Sequence, residues 1–131
     1  MNDYGRAAVR AVELYTGGLA RSPQEAWMRA TAEFFGWGTT SQNKGCPRGA
    51  FLGLCEEGLI KGMPRGSYTR SAKNKKYALN AVAVLRQAPT LAADPIGLWR
   101  VVMRGETKVH NHQMDVVTSL WSTGLIVGRP S

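Results

Sequence analysis

Residues 51–62, FLGLCEEGLIKG, and residues 117–128, VTSLWSTGLIVG, close on the same Gly-Leu-Ile triplet, each followed one residue later by another glycine. A triplet alone says little, but this one is the last of three landmarks that recur in the same order. Tyr4 precedes Ala8-Val9 as Tyr77 precedes Ala81-Val82. Pro23 stands four residues before Trp27 as Pro95 does before Trp99, and Leu54 stands four residues before Gly58 as Leu120 does before Gly124. Ordered recurrence of this kind marks a duplicated supersecondary unit and limits the chain to architectures that can be built twice.

The period inside each copy is helical. Tyr4, Ala8, Ala11, Val12 and Tyr15 fall on one helical face, and Gly17-Gly18 ends that segment. Ser22, Pro23 and Glu25 form the start of a second helix with a capping box, and its stripe is Trp27, Ala30 and Phe34. A third begins at Pro47 and stops at Gly58, where a left-handed residue is favoured. The second copy reads likewise: NKKYALNAVAVLRQ, then DPIGLWRVVMRG capped by Asp94, then NHQMDVVTSLWSTG capped by Asn111. The expected fold is therefore all-α, with two tandem three-helix units at about residues 3–60 and 75–126 joined by a connector at 61–76. Neither unit buries much alone, so one domain sharing a common core is expected, with Trp27, Trp99 and Trp121 in it.

Function must be sought in charge. The chain carries 17 Lys and Arg against 9 Asp and Glu, a formal charge of +8, and no acidic residue occurs from Gly58 to Ala93. A block of one sign suits an anionic partner, or serves as a hydrated linker. Lys61, Arg65 and Arg70 lie in a Gly/Pro-rich stretch, with Tyr68 available to stack, and Lys73, Lys75 and Lys76 adjoin the start of the fourth helix. Such cations hold a phosphate backbone without reading its sequence. The expected function is contact with DNA or RNA through this connector. The alternative is a non-catalytic interaction module that docks on an acidic protein.

The strings KGCPRGAFLGLCEEGLIKG, YTRSAKNKKYAL and HNHQMDVVTSLWSTGLI together resemble an uncharacterised family of small bacterial proteins, over nearly the whole chain. That resemblance implies a bacterial cytoplasmic protein and assigns no functional residue. More loosely, Leu-x-x-x-Gly-Leu-Ile with its basic turn is similar to the recognition helix and wing of winged-helix DNA-binding proteins. Lys44 and Arg48 would then stand at the helix end that meets base edges. The rest of that helix is apolar at Phe51, Leu52, Leu54 and Cys55 and acidic at Glu56 and Glu57, which favours backbone or shape binding over sequence readout.

Other chemistry finds less support. An offset of 66 between Gly58 and Gly124 sets Cys46 opposite His112 and Lys44 opposite His110. A Cys–His pair at two helix starts would also need an orienting group and a pocket. His110, His112, Asp115 and Cys46 are ligand types that suit zinc, but no Cys-x-x-Cys or His-Glu-x-x-His spacing accompanies them. Glycine-rich phosphate loops and nucleophile elbows are missing. The sequence thus gives no reason to expect a catalytic residue, a resident metal or a cofactor. Two cysteines make no disulfide framework, and no apolar run reaches the roughly 20 residues of a membrane span. MNDYGRAAVR lacks a secretory h-region, so a soluble cytoplasmic location is expected.

Overall fold

Most helices start where a side chain satisfies a free N–H. The computed structural model describes residues 1–128. Helix α1 (Asp3–Thr16) is capped by Asn2, whose Oδ1 accepts the Gly5 N–H at 2.9 Å. Helix α2 (Pro23–Phe35) is capped by Ser22 Oγ, which accepts the Glu25 N–H at 3.1 Å. Only half of the expected capping box forms, because the Glu25 carboxylate pairs with Arg29 at 3.2 Å. Helix α3 (Gly45–Glu56) begins two residues before Pro47, since the first turn makes no use of the N–H that proline lacks. Helix α4 (Ala72–Gln87) likewise begins inside the expected connector. A 3-10 turn (Pro89–Ala93), not foreseen, leads to helix α5 (Pro95–Met103), where Asp94 Oδ1 accepts the Gly97 N–H at 3.0 Å.

Helix α6 (Gln113–Ser122) departs from expectation, because Asn111 is not its cap. His112 turns the chain with a left-handed φ of 70°, and the free Met114 N–H is taken by Nε2 of His110 at 3.1 Å. A neutral imidazole thus does the capping.

The repeated triplets end α3 and α6 alike. Gly58 and Gly124 adopt left-handed φ of 71° and 76°, and Leu59 and Leu125 donate back to the carbonyls of Leu54 and Leu120 at 3.1 and 2.9 Å. The triplets then pair with each other. Ile60 and Ile126 face across an antiparallel bridge, held by Lys61 N–H to Leu125 O and Val127 N–H to Leu59 O, both 2.8 Å. Both isoleucines are buried. Gly-Leu-Ile is therefore a helix terminator and also a lock between the halves.

The first helix of each half packs on the third helix of the other: α1 on α6, and α4 on α3, with α3 and α6 side by side. At the α3–α4 crossing a Cβ on Gly53 would lie 2.8 Å from the Lys75 Cα; at the α1–α6 crossing one on Gly5 would lie 2.9 Å from the Ser119 Cβ. Both crossings require the missing side chain. A single apolar core results, and α3 is buried from Ala50 to Cys55, the Gly53 backbone included. That burial corrects the winged-helix comparison: α3 has no free face to lay in a groove, and among the described residues there is no strand pairing beyond the one bridge to form a wing. No helix of the described residues is long and apolar enough to cross a membrane.

Candidate functional site

The connector folds back on the end of α3 at a few points, while most of residues 61–70 stay exposed. Met63 is buried, and the Gly66 N–H donates to Glu56 O at 3.3 Å. Tyr68 is half-buried, and its hydroxyl donates to Pro64 O at 2.7 Å, so the ring closes its own loop. Burial pushes its phenol pKa up. The Arg65 side chain lies along Gly58. Lys75 is likewise engaged within the fold, because its ammonium meets the carboxylates of Glu57 and Glu56 at 2.6 and 3.3 Å. Glu57 holds the Lys75 ammonium above its ordinary pKa, and Lys75 holds Glu57 below its own. Glu56 and Glu57, the acidic end of α3, are thereby turned to an internal partner. Lys61, Arg70 and Arg48 are exposed and Lys44 is half-buried.

Lys73 and Lys76 point elsewhere. With Arg104 and Lys108 they line a cleft of about 580 Å³ between α4 and the segment after α5, where the only carboxylate is Glu106. Tyr77 also lines it, with the Lys108 Nζ 5.8 Å from the ring centroid. The hydrogen bond with Tyr77 holds the Lys108 ammonium above its ordinary pKa. A second depression of about 320 Å³ shares Lys73, Tyr77 and Lys108 and adds Cys46, Asn74, Trp99, Val109 and Gln113. Its wall is anchored by Trp99, whose Nε1–H donates to Lys108 O at 3.0 Å and whose ring meets Tyr77 edge-on at 5.3 Å. Four cations in a concavity with one carboxylate can hold anionic groups, phosphates above all.

Arg104 and Lys108 were not foreseen. They lie outside the acid-free block, in RGETK with an acid between them, and only the packing of α5 on α4 sets them beside Lys73 and Lys76. Cys46 and His112, set opposite each other by the offset of 66, have different surroundings. Cys46 opens on the second depression, whereas Nδ1 of His112 lies 3.1 Å from Asn2 Nδ2 and 3.0 Å from Asp115 Oδ2, with its ring against Tyr4. Burial pushes the Cys55 thiol pKa well up. Among the described residues no group of three or more His, Cys, Asp and Glu side chains is placed to hold a metal ion.

The fold and cleft define a small, basic, all-helical protein with a cationic concavity on its second half. The chain belongs to a family of unknown function (DUF6979), whose profile matches residues 1–127. No curated protein and no solved structure matches it.

Proposed function

We propose that this protein binds nucleic acid, taking phosphates of the backbone into the cleft formed by Lys73, Lys76, Arg104 and Lys108. The observation that supports the reading is the convergence of these four cations from two separate segments on one concavity. Cations spread for solubility do not need to converge. The reading keeps Lys73 and Lys76 as phosphate contacts and adds Arg104 and Lys108. It leaves Lys75 and Tyr68 to the internal bonds they make, with Arg70 and Lys61 as outlying contacts. A bacterial cytoplasmic setting is part of the proposal, as the sequence resemblance implies.

The test is salt-dependent binding. Replacing Lys73, Lys76, Arg104 and Lys108 with alanine removes four exposed charges and leaves the core untouched. The slope of log affinity against log salt then shrinks by about 0.9 per lost phosphate contact on a duplex, or about 0.7 on a single strand. A folded variant that binds as the parent does, or a parent that binds nothing at low salt, removes the reading.

One observation favours a protein partner as a second reading. Trp37 is 67% exposed and lines a shallow depression with Leu14, Ala32, Arg29 and Glu33, and Leu19 is also exposed. Trp37→Ala would weaken such a complex with little effect of salt, in contrast to the cleft variants.

A further inference from the structure

We infer that the nucleic acid taken by this cleft is single-stranded, with one unpaired base seated in the depression between Tyr77, Val109 and Cys46. This rests on the reading above and specifies its ligand. The two depressions share Lys73, Tyr77 and Lys108, so they lie side by side and differ in chemistry at their outer ends. Lys76 and Arg104 supply charge at one end only. Beyond the shared lysines, the residues lining the other end are apolar, aromatic or neutral polar. A nucleotide has the same polarity, with an anionic phosphate joined to a planar, weakly polar base.

Shape decides between strand forms. A duplex presents a convex ridge of phosphates and keeps its base edges inside, so it can touch the rim at Lys76 and Arg104 but has nothing to place in the second depression. A single strand can turn one base inward while its phosphate stays with the lysines. The volume of about 320 Å³ lies at the small end of the range for small-molecule sites, about 300–1,000 Å³, and suits one base. Two amide side chains, Asn74 and Gln113, line that end. Gln113 Nε2 donates to Asn74 Oδ1 at 3.1 Å and Asn74 Nδ2 donates to Ser71 Oγ at 2.8 Å, which leaves each amide one further N–H. A base seated there would meet these amides at its edge, whereas Tyr77 contributes contact that every base can use.

The experiment measures binding of a labelled oligothymidylate, alone and annealed to oligoadenylate, at the same low salt. The single strand should bind roughly tenfold tighter or more. Tyr77→Leu should weaken the single strand by roughly 5–100-fold with the salt slope unchanged, the range for losing one base–aromatic contact. Should that variant fail to fold, Val109→Glu serves instead. Val109 is 88% exposed, so the change spares the core and sets a carboxylate at the mouth. Cys46 gives an independent readout on the unaltered protein, because Cys55 is buried and only Cys46 meets solvent. Iodoacetamide should alkylate Cys46 several-fold more slowly with the single strand bound and at the free rate with the duplex bound. Equal affinity for both forms, or alkylation that the bound single strand does not slow, overturns the inference while leaving phosphate binding in place. If neither form binds, the parent reading falls and this one with it.

Discussion

Trp27 and Trp99 each stand four residues after the proline that opens their helix, yet they do different work. Trp27 is fully buried and stacks on Phe51 at 5.1 Å, and its Nε1–H has no acceptor among the described residues. Trp99 sits at the edge of the core, spends its N–H on the Lys108 carbonyl, and holds the segment that carries Arg104 and Lys108 against α4. The same landmark is thus sealed in one half and supports a cleft in the other. What separates them is the connection that follows. After α2 the chain runs through a turn fixed by buried Gln42, which binds the Gly38 N–H and the Met28 carbonyl. After α5 it runs as the exposed stretch 104–109.

The comparison breaks most visibly if both tryptophans are removed. Trp27→Ala should cost about 3–5 kcal/mol in urea unfolding, as for a large side chain lost from a closed core, with no change in nucleic-acid affinity per folded molecule. Trp99→Ala should cost less and should lower affinity, since the cleft wall loses its anchor. Equal costs, or an unaltered affinity for Trp99→Ala, would mean that the two positions are equivalent after all.

The two helix crossings differ in what a methyl group would meet. On Gly53 it would strike the backbone of Lys75, whereas on Gly5 it would strike the side chain of Ser119 and crowd the Asp115 carbonyl. Both Gly→Ala changes should destabilise by about 1–3 kcal/mol or more, as overpacking does. Adding Ser119→Gly should recover most of the loss at Gly5, but truncating Lys75 should recover little at Gly53, because its Cα remains. A double variant of Gly5 and Ser119 no more stable than Gly5→Ala alone would sink this distinction.

The helices were legible in the sequence because their signals are local: Ser22, Asp94 and the two Gly-Leu-Ile ends act on residues within one turn. The all-α class followed from them. Two kinds of feature were not legible. One is the partner of a side chain that has several candidates, such as Glu25, which chose Arg29 over the capping box, and Lys75, which chose Glu56 and Glu57 over solvent. The other is convergence of distant segments. Nothing local tells that residues 104 and 108 adjoin 73 and 76, or that Ile60 pairs with Ile126. The start of α6 combines both, because a histidine three residues before Gln113 replaced the expected Asn111 cap.

That start also differs from its counterpart in α3, where Lys44 makes no side-chain capping bond. At α6 the His110 imidazole must be neutral to accept the Met114 N–H, and burial pushes its pKa below the ordinary 6.5, with the neighbouring His112 also lowering it and Asp115 opposing both. The unfolded chain therefore takes up this proton more readily than the folded one. The group's contribution is fully present above about pH 6.5 and is lost as pH falls through the depressed folded value. The adjacent His112 faces the Asn2 amide and the Asp115 carboxylate. His110→Phe should lower stability at neutral pH by about 0.5–2 kcal/mol, the worth of a cap, and should flatten this part of the pH profile. A variant with the parent's full acid sensitivity would assign that sensitivity elsewhere.

The smallest expected effect belongs to one of two neighbouring lysines. Lys75 and Lys76 are adjacent on α4, but Lys75 crosses back over Gly53 to the acidic end of α3, whereas Lys76 lines the cleft. Lys75 is only a quarter exposed and the Glu56 side chain 8% exposed, so Lys75→Met should cost about 1–3 kcal/mol, much of it from the Glu56 carboxylate left with the Tyr68 N–H alone. It should leave the salt slope of nucleic-acid binding as it was. Lys76→Met should do the reverse, with stability within about 0.5 kcal/mol of the parent and a slope reduced by one phosphate contact, about 0.7 on a single strand. Added salt offers a further check, since it should weaken the Lys75 pair and so narrow the stability gap between parent and Lys75→Met, but not between parent and Lys76→Met. If both variants lower the salt slope alike, the binding surface extends over the face of α4 that carries Lys75, and the division drawn here between structural and binding cations fails.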